Sequence, residues 1–92
     1  MSDVDDAKYL ADFRRTRSPE ALAVLVGRYS DLVYSTARRL VRDRHLAEDV
    51  TQSAFIILVK KADRLDPRTL AGWLVNTTRL AANGNAAVAA QS

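Results

Sequence analysis

The sequence predicts an all-α fold, a compact bundle of three main helices with a short helix before them. Apolar residues recur at intervals of three and four through most of the chain, which is the spacing of one face of an α-helix. Both prolines follow residues that commonly cap helix N-termini, in the pairs Ser18-Pro19 and Asp66-Pro67. The 92 residues are enough for one domain with one core.

Apolar spacing predicts the first two helices. The short first helix is indicated by Ala7, Leu10, Ala11 and Arg14. The second helix begins at Pro19 and keeps helical spacing as far as Leu40, a length of roughly six turns. Four arginines lie near its end, at positions 38, 39, 42 and 44. Their charges fit the negative C-terminus of a helix, and contact with nucleic acid is the alternative.

The third helix is predicted within residues 46–65, after a break at residues 42–45. Its apolar run at residues 55–59 also fits a buried strand, but the flanking charges and the lack of partner strands favour a helix. Glu48 and Asp49 are expected in its first turn, where carboxylates meet the positive end of the helix dipole.

This third helix is apolar on two sides. At about 100° per residue, one face gathers the expected core residues Ala47, Val50, Ala54, Ile57 and Leu58. The opposite face holds Glu48, Gln52, Phe55 and Val59, with Asp49 and Ile56 on its flanks. Because one small domain buries only one such face, we expect the second face to bind another protein.

The fourth helix is predicted from Pro67 through Leu80 or beyond, and Asn83-Gly84 is its expected C-terminal cap. Its inward stripe consists of Leu70, Leu74, Thr77 and Ala81. The opposite stripe consists of Gly72, Asn76, Arg79 and Asn83. Amide and guanidinium groups suit contacts with base edges and phosphates, and an ordinary solvated face is the alternative.

Two further features allow nucleic-acid contact. Trp73 lies about 60° from the inward stripe, which fits either core packing or a stacking platform for an unpaired base. Between the third and fourth helices, cations alternate with Asp63 and Asp66. These cations are Lys60, Lys61, Arg64 and Arg68. They suit the phosphates of a single strand, and helix-end electrostatics is the alternative.

We assign residues 1–82 to the helical domain. Residues 83–92 are assigned to an Ala-rich tail, frayed or disordered, because they carry no charge and little apolar bulk. The formal net charge of +3 is modest, but the first 12 residues hold four Asp and one Lys. The remaining residues therefore carry a net charge of +6.

Composition excludes several classes of protein. The chain has no cysteine, and its N-terminus lacks the basic and apolar regions of a secretory signal. Its longest apolar run, residues 54–59, is too short to span a bilayer. We therefore expect a soluble cytoplasmic protein that does not enter a membrane. The single histidine, His45, lies in a polar linker without a nucleophile or metal-ligand set, so we expect no enzyme, metal or cofactor.

Residues 47–55, followed by residues 70–74 and by Thr78-Arg79, resemble region 2 of bacterial extracytoplasmic-function (ECF) RNA polymerase sigma factors. Residues 12–28 are similar to the opening segment of that family, so the resemblance covers most of the chain. It implies a sigma region 2 fold and a non-enzymatic role in transcription initiation.

The resemblance implies that the third helix docks on the clamp helices of the beta-prime subunit of the RNA polymerase core. The expected core-polymerase contacts are Glu48, Asp49, Gln52, Ser53, Phe55, Ile56 and Val59. Ser53 stands where the family usually has Glu, which removes one acidic contact. An anti-sigma protein is a further partner that the resemblance allows.

The resemblance also implies that the 61–69 segment and the helix after it capture the non-template single strand of the promoter minus-ten element, with one base flipped into a pocket. The expected DNA-binding residues are Lys61, Arg64, Arg68, Trp73, Asn76, Arg79 and Asn83. Residues 81–88 lack the arginines with which family members continue this helix, so we expect weaker contact with upstream DNA. The chain also stops before the second helical domain of the family, and we expect a fragment or a truncated or degenerate form.

The alternative function is a helical protein–protein interaction module without a DNA role. Such a module would form a homodimer through Phe55, Ile56 and Val59. The scarcity of basic residues near the C-terminus favours this alternative. The Gly72-Trp73 pair and the stripe that carries Asn76 and Arg79 favour the sigma-factor hypothesis.

Overall fold

Residues 3–84, the part of the chain that this computed structural model describes, form four α-helices and two 3-10 turns. The helices are α1 (Asp3–Thr16), α2 (Pro19–Leu40), α3 (Arg44–Lys61) and α4 (Leu70–Ala82). The 3-10 turns, Ala62–Arg64 and Pro67–Thr69, connect α3 to α4. The predicted all-α fold is confirmed for the described range. No helix there combines the length and the apolarity needed to cross a membrane.

Both predicted proline starts are confirmed as helix N-termini. The Ser18 hydroxyl accepts a hydrogen bond from the Ala21 amide at 3.2 Å and caps α2. The Asp66 carboxylate accepts from the Arg68 amide at 2.9 Å and caps the second 3-10 turn. The fourth helix therefore starts as a 3-10 turn at Pro67 and becomes α-helical at Leu70.

Helix α3 begins earlier than predicted. Its N-cap is Asp43, whose carboxylate accepts a hydrogen bond from the His45 amide at 2.7 Å. Because the helix starts at Arg44, its first turn contains no acidic residue. The expectation that Glu48 and Asp49 lie in that turn is wrong, and His45 is an exposed helical residue instead of a linker residue. Residues 55–59 all lie inside α3, which confirms a helix over a strand.

The main core forms where α1 covers the bundle of α2, α3 and α4. The predicted inward face of α3 is buried at all five positions. Leu10 and Phe13 of α1 are also buried, at 1% and 4% exposure, and join residues of the other three helices in one cluster. Burial of Phe13 was not predicted, and Ala11 is exposed. Helix α1 packs on α2 and on both 3-10 turns.

A smaller cluster closes the other end of the bundle. There the end of α2 and the start of α3 meet through Ala37, Ala47 and Val50, and Ala81 and Ala82 at the end of α4 pack against them. Helix α4 ends at Ala82, with Asn83 as its C-cap and Gly84 at a φ of +79°, a left-handed conformation that favours glycine. This confirms the predicted cap. Residues 85–92 of the predicted tail lie outside the described residues.

A buried ion pair fastens α1 to α2. Asp6 is only 2% exposed, and its carboxylate lies 3.2 Å from the Arg28 guanidinium. The Tyr29 hydroxyl donates a second hydrogen bond to the same carboxylate. Arg28 also lies over the Tyr9 ring, at 5.5 Å from its centroid. These contacts fix α1 as a rigid part of the domain.

Candidate interaction surfaces

The second apolar face of α3 forms one wall of a groove. The other wall belongs to α2, and the open groove between them has a volume of about 470 Å³. The lining residues are Leu22, Val26, Ser30, Thr51, Gln52, Phe55, Ile56 and Val59. The contribution of α2 was not predicted, since its apolar residues were used only to place the helix.

The groove is continuous with the core. Phe55 and Val59 are half-buried and pack against the main core cluster. The prediction that both residues lie on an outward face is therefore only partly correct. Ile56 is 55% exposed and is the most exposed large apolar residue of the described range. Gln52 is exposed and Ser53 is half-buried. The result is an apolar floor with an open rim.

Acidic residues lie on α3 one to two turns before the apolar part of the groove. Glu48 and Asp49 are both exposed. Glu48 pairs with Arg44 at 3.4 Å, and both side chains remain largely in solvent. A surface ion pair of this kind contributes little to stability, so the Glu48 carboxylate remains accessible to a partner.

The 61–69 segment is held in a defined shape. The Arg14 side chain donates from Nε to the Ala62 carbonyl at 2.5 Å and from Nη2 to the Leu65 carbonyl. The Arg17 guanidinium donates to the Val59 carbonyl at 3.3 Å. Sequence reasoning missed both arginines, because these contacts join residues more than 40 positions apart.

The predicted cations of this segment differ in their surroundings. Arg68 is exposed, but its guanidinium already pairs with the Asp66 carboxylate at 3.0 Å. Hydrogen bonds from the Arg68 side chain, and then from its amide, hold the pKa of Asp66 below its ordinary value of 3.8. Lys61 is half-buried, whereas Arg64 is exposed and makes no ion pair among the described residues. Arg64 is therefore the cation most available to an anionic ligand here.

Helix α4 presents the predicted polar stripe to solvent. Gly72, Asn76, Arg79 and Asn83 are all exposed, whereas Leu70, Leu74 and Thr77 are buried. Thr78 is also buried, and its hydroxyl donates to the Leu74 carbonyl at 2.6 Å. A Cβ atom on Gly72 would meet no atom within 4 Å beyond its chain neighbours and the adjacent backbone of α4, so the backbone there is open to an approaching ligand.

Trp73 is half-buried and packs against the main core cluster. This contact supports the core-packing interpretation of Trp73. Because the side chain is only half-buried, it also stays accessible to a ligand.

Helix α2 adds an arginine to the surface of α4. A shallow hollow of about 210 Å³ separates the two helices, with Arg39 and Arg79 among its lining residues. Its remaining lining residues are Leu32, Thr36, Leu40 and Val75. Arg38 instead donates to the Arg42 carbonyl at 3.0 Å, the helix-end role that was expected for the whole arginine group.

Comparison with known proteins matches these surfaces to one family. The model of the Sigma-70 region 2 family matches residues 25–83, which include most of the groove and the whole exposed stripe of α4. The ECF RNA polymerase sigma factor SigE of Mycolicibacterium smegmatis is 41% identical over 54 residues, which are 59% of this chain and 21% of that relative. The chain thus spans about a fifth of the relative's length. No solved structure matches the chain. The family match extends over more than half of the sequence, and the chain belongs to the Sigma-70 region 2 family.

Proposed function

We propose that this chain is the region 2 domain of an ECF sigma factor, a non-enzymatic module that acts in the cytoplasm during transcription initiation. In this role it docks on the RNA polymerase core and captures the non-template strand of the promoter minus-ten element. The observation that carries the proposal is the family match over residues 25–83, because one continuous match includes both of the surfaces that the two tasks require.

The groove between α2 and α3 is the proposed docking site for the clamp helices of the beta-prime subunit. A helical partner would place apolar side chains against Phe55, Ile56 and Val59. Its basic side chains would face Glu48 and Asp49, both of which are exposed. The apolar floor supplies most of the affinity, and the carboxylates set the orientation of the partner.

The 61–69 segment and the exposed stripe of α4 are the proposed site for single-stranded DNA. Arg64 and Arg79 are exposed and suit phosphates, while the amides of Asn76 and Asn83 suit base edges. Unstacking a base costs a few kcal/mol, which so small a surface offsets only in part. We therefore expect weak DNA binding by the isolated domain and stronger binding by its complex with the polymerase.

Capture of core RNA polymerase tests the proposal. The purified chain, immobilised, is incubated with Mycolicibacterium smegmatis core enzyme and compared with the variants Ile56→Asp and Leu40→Asp. Ile56 lies in the groove, whereas Leu40 is a similarly exposed apolar residue outside it, at 44% against 55%. We expect the wild type and Leu40→Asp to retain the polymerase, and Ile56→Asp to lose at least about tenfold in affinity.

Failure of the wild-type chain to retain polymerase would contradict the proposal. Sedimentation of the same samples tests the interaction-module alternative. A dimer that Ile56→Asp dissociates, together with no polymerase capture by the wild type, would establish that alternative.

A further inference from the structure

We propose that Arg14 is a positioning residue, which holds the 61–69 segment in the shape that binds single-stranded DNA. The inference rests on the proposed function for its DNA partner. Arg14 belongs to α1 and lies before residues 25–83, so the family match assigns it no role. Its guanidinium bridges two carbonyls of the segment, those of Ala62 and Leu65.

These carbonyls need a donor because of where they lie. The last carbonyls of an α-helix have no partner within the helix, and α3 ends at Lys61. The Leu65 amide reaches the Ala62 carbonyl only at 3.4 Å, which is long for a backbone hydrogen bond. Ala62 and Leu65 are buried, at 0% and 8% exposure, so little water can replace a lost donor.

A guanidinium fits this position better than other cations. Its N–H groups diverge from one rigid plane, so a single side chain can bind two carbonyls at a fixed separation. Arg17, three residues further along the chain, donates to the Val59 carbonyl at 3.3 Å. The two arginines therefore bind carbonyls at positions 59, 62 and 65, at the end of α3 and in the first part of the segment.

The element that carries Arg14 is itself firmly anchored. Leu10 and Phe13, which both precede Arg14 on α1, are buried in the core, and Asp6 pairs with Arg28 of α2. The Arg17 guanidinium lies over the Phe13 ring, at 4.9 Å from its centroid. Arg14 thus transmits the position of a rigid helix to the connection between α3 and α4.

The held carbonyls flank Arg64, which is proposed to bind DNA. Arg64 lies between Ala62 and Leu65, so both backbone anchors of Arg14 fix the point from which its side chain projects. Asp66 follows Leu65 directly, caps the turn that begins the fourth helix and pairs with Arg68 at 3.0 Å. Loss of Arg14 would therefore release Arg64 and Arg68 from their fixed positions.

Hydrogen exchange of the chain alone gives the first test, with Arg14→Met as the variant and Arg15→Met as the matched control. Arg15 is the next residue of the same helix, is exposed, and pairs only locally among the described residues, with Asp12 at 3.8 Å. In Arg14→Met we expect the amides of residues 65, 68 and 69 to exchange about tenfold faster. Amides at the centre of α2 and α3 should keep their wild-type rates, as should all amides of Arg15→Met.

DNA binding by the polymerase complex gives the second test. The probe is a twelve-nucleotide single strand enriched from a random library on the wild-type chain bound to core enzyme, and a scrambled strand of equal composition is the reference. We expect Arg14→Met to bind the enriched strand about tenfold more weakly and to lose affinity for the scrambled strand as well, because the phosphates that Arg64 is proposed to contact are present in every strand. Capture of core polymerase should stay at the wild-type level, because Arg14 is not part of the groove.

The outcomes separate this inference from the proposed function. If the wild-type complex enriches no strand, the proposed DNA role fails and the positioning role fails with it. If it enriches a strand that Arg14→Met binds equally well, only the positioning role is overturned. Unaltered exchange at residues 65, 68 and 69 would overturn it as well.

A second variant keeps the test valid if Arg14→Met does not fold. Arg14→Lys keeps the charge but cannot bind both carbonyls with one rigid group. We expect it to fold, to exchange faster at residue 65, and to bind the enriched strand more weakly than the wild type does. Wild-type affinity of Arg14→Lys for the enriched strand would contradict the need for a bridging guanidinium.

Discussion

The Asp66 carboxylate accepts hydrogen bonds from both the side chain and the backbone of Arg68. The guanidinium donates at 3.0 Å and the backbone amide at 2.9 Å. These hydrogen bonds lower the pKa of the Asp66 carboxyl, with help from the positive charges of Arg68 and Arg14. Because folding lowers this pKa, the carboxylate contributes its full stabilisation above the ordinary value of 3.8. That contribution disappears as the pH falls through the lowered value.

We predict that Asp66→Asn melts at a lower temperature than the wild type at pH 7. This difference in melting temperature should shrink below about pH 4. Asn caps a helix nearly as well as Asp, so the substitution removes mainly the charge. Thermal unfolding followed by circular dichroism between pH 2.5 and pH 7 measures the effect. Asp63→Asn, which changes an exposed carboxylate of the preceding turn, is the control and should melt with the wild type. A melting-temperature difference that grows as the pH falls would contradict a stabilising role for the Asp66 charge.

The turn between α1 and α2 contains Arg17 at a φ of 55°, in the left-handed region. A side chain there carries a steric cost of about 1 kcal/mol that glycine avoids. We predict that Arg17→Gly is more stable than Arg17→Ala by about that amount, since both lose the same side-chain contacts. Urea unfolding of the two variants provides the comparison. Equal midpoints, or a more stable alanine variant, would show that the backbone of this turn relaxes.

Arg79 is predicted to bind a DNA phosphate or base edge from the exposed stripe of α4. Arg79→Ala should weaken binding of the enriched single strand by the polymerase complex. If its contact is a phosphate, the slope of log affinity against log salt concentration should also fall by about 0.7. Titrations at several salt concentrations measure both quantities, and Arg15→Ala, which changes an exposed arginine of α1, is the control. Unchanged affinity would exclude Arg79 from the DNA site.

Features set by neighbouring residues were predicted well. Ser18 and Asp66 act as caps through hydrogen bonds that reach two or three residues ahead, and such contacts can be identified in the sequence. The start of α3 was misplaced because Asp43 and the pair Glu48-Asp49 both fit a helix N-terminus. The hydrogen bond from the His45 amide to Asp43 decides between them.

Features that depend on tertiary packing were not predicted. Leu22 and Val26 share helical spacing with core residues, but the way α2 and α3 pack leaves them in an open groove. Arg14 contacts carbonyls 48 and 51 residues away, and no local pattern indicates such a pairing. Half of the groove and the support of the 61–69 segment therefore required the structure.

The most direct measurement for the proposed docking role is site-specific crosslinking from the groove. A photo-reactive amino acid replaces Ile56 in one sample and Leu40 in another, and each is irradiated with core RNA polymerase. Mass spectrometry then identifies the crosslinked peptide. We predict that position 56 crosslinks to the clamp helices of the beta-prime subunit and that position 40 does not. Crosslinks from position 56 to a second copy of the chain, or to no polymerase subunit, would contradict the account.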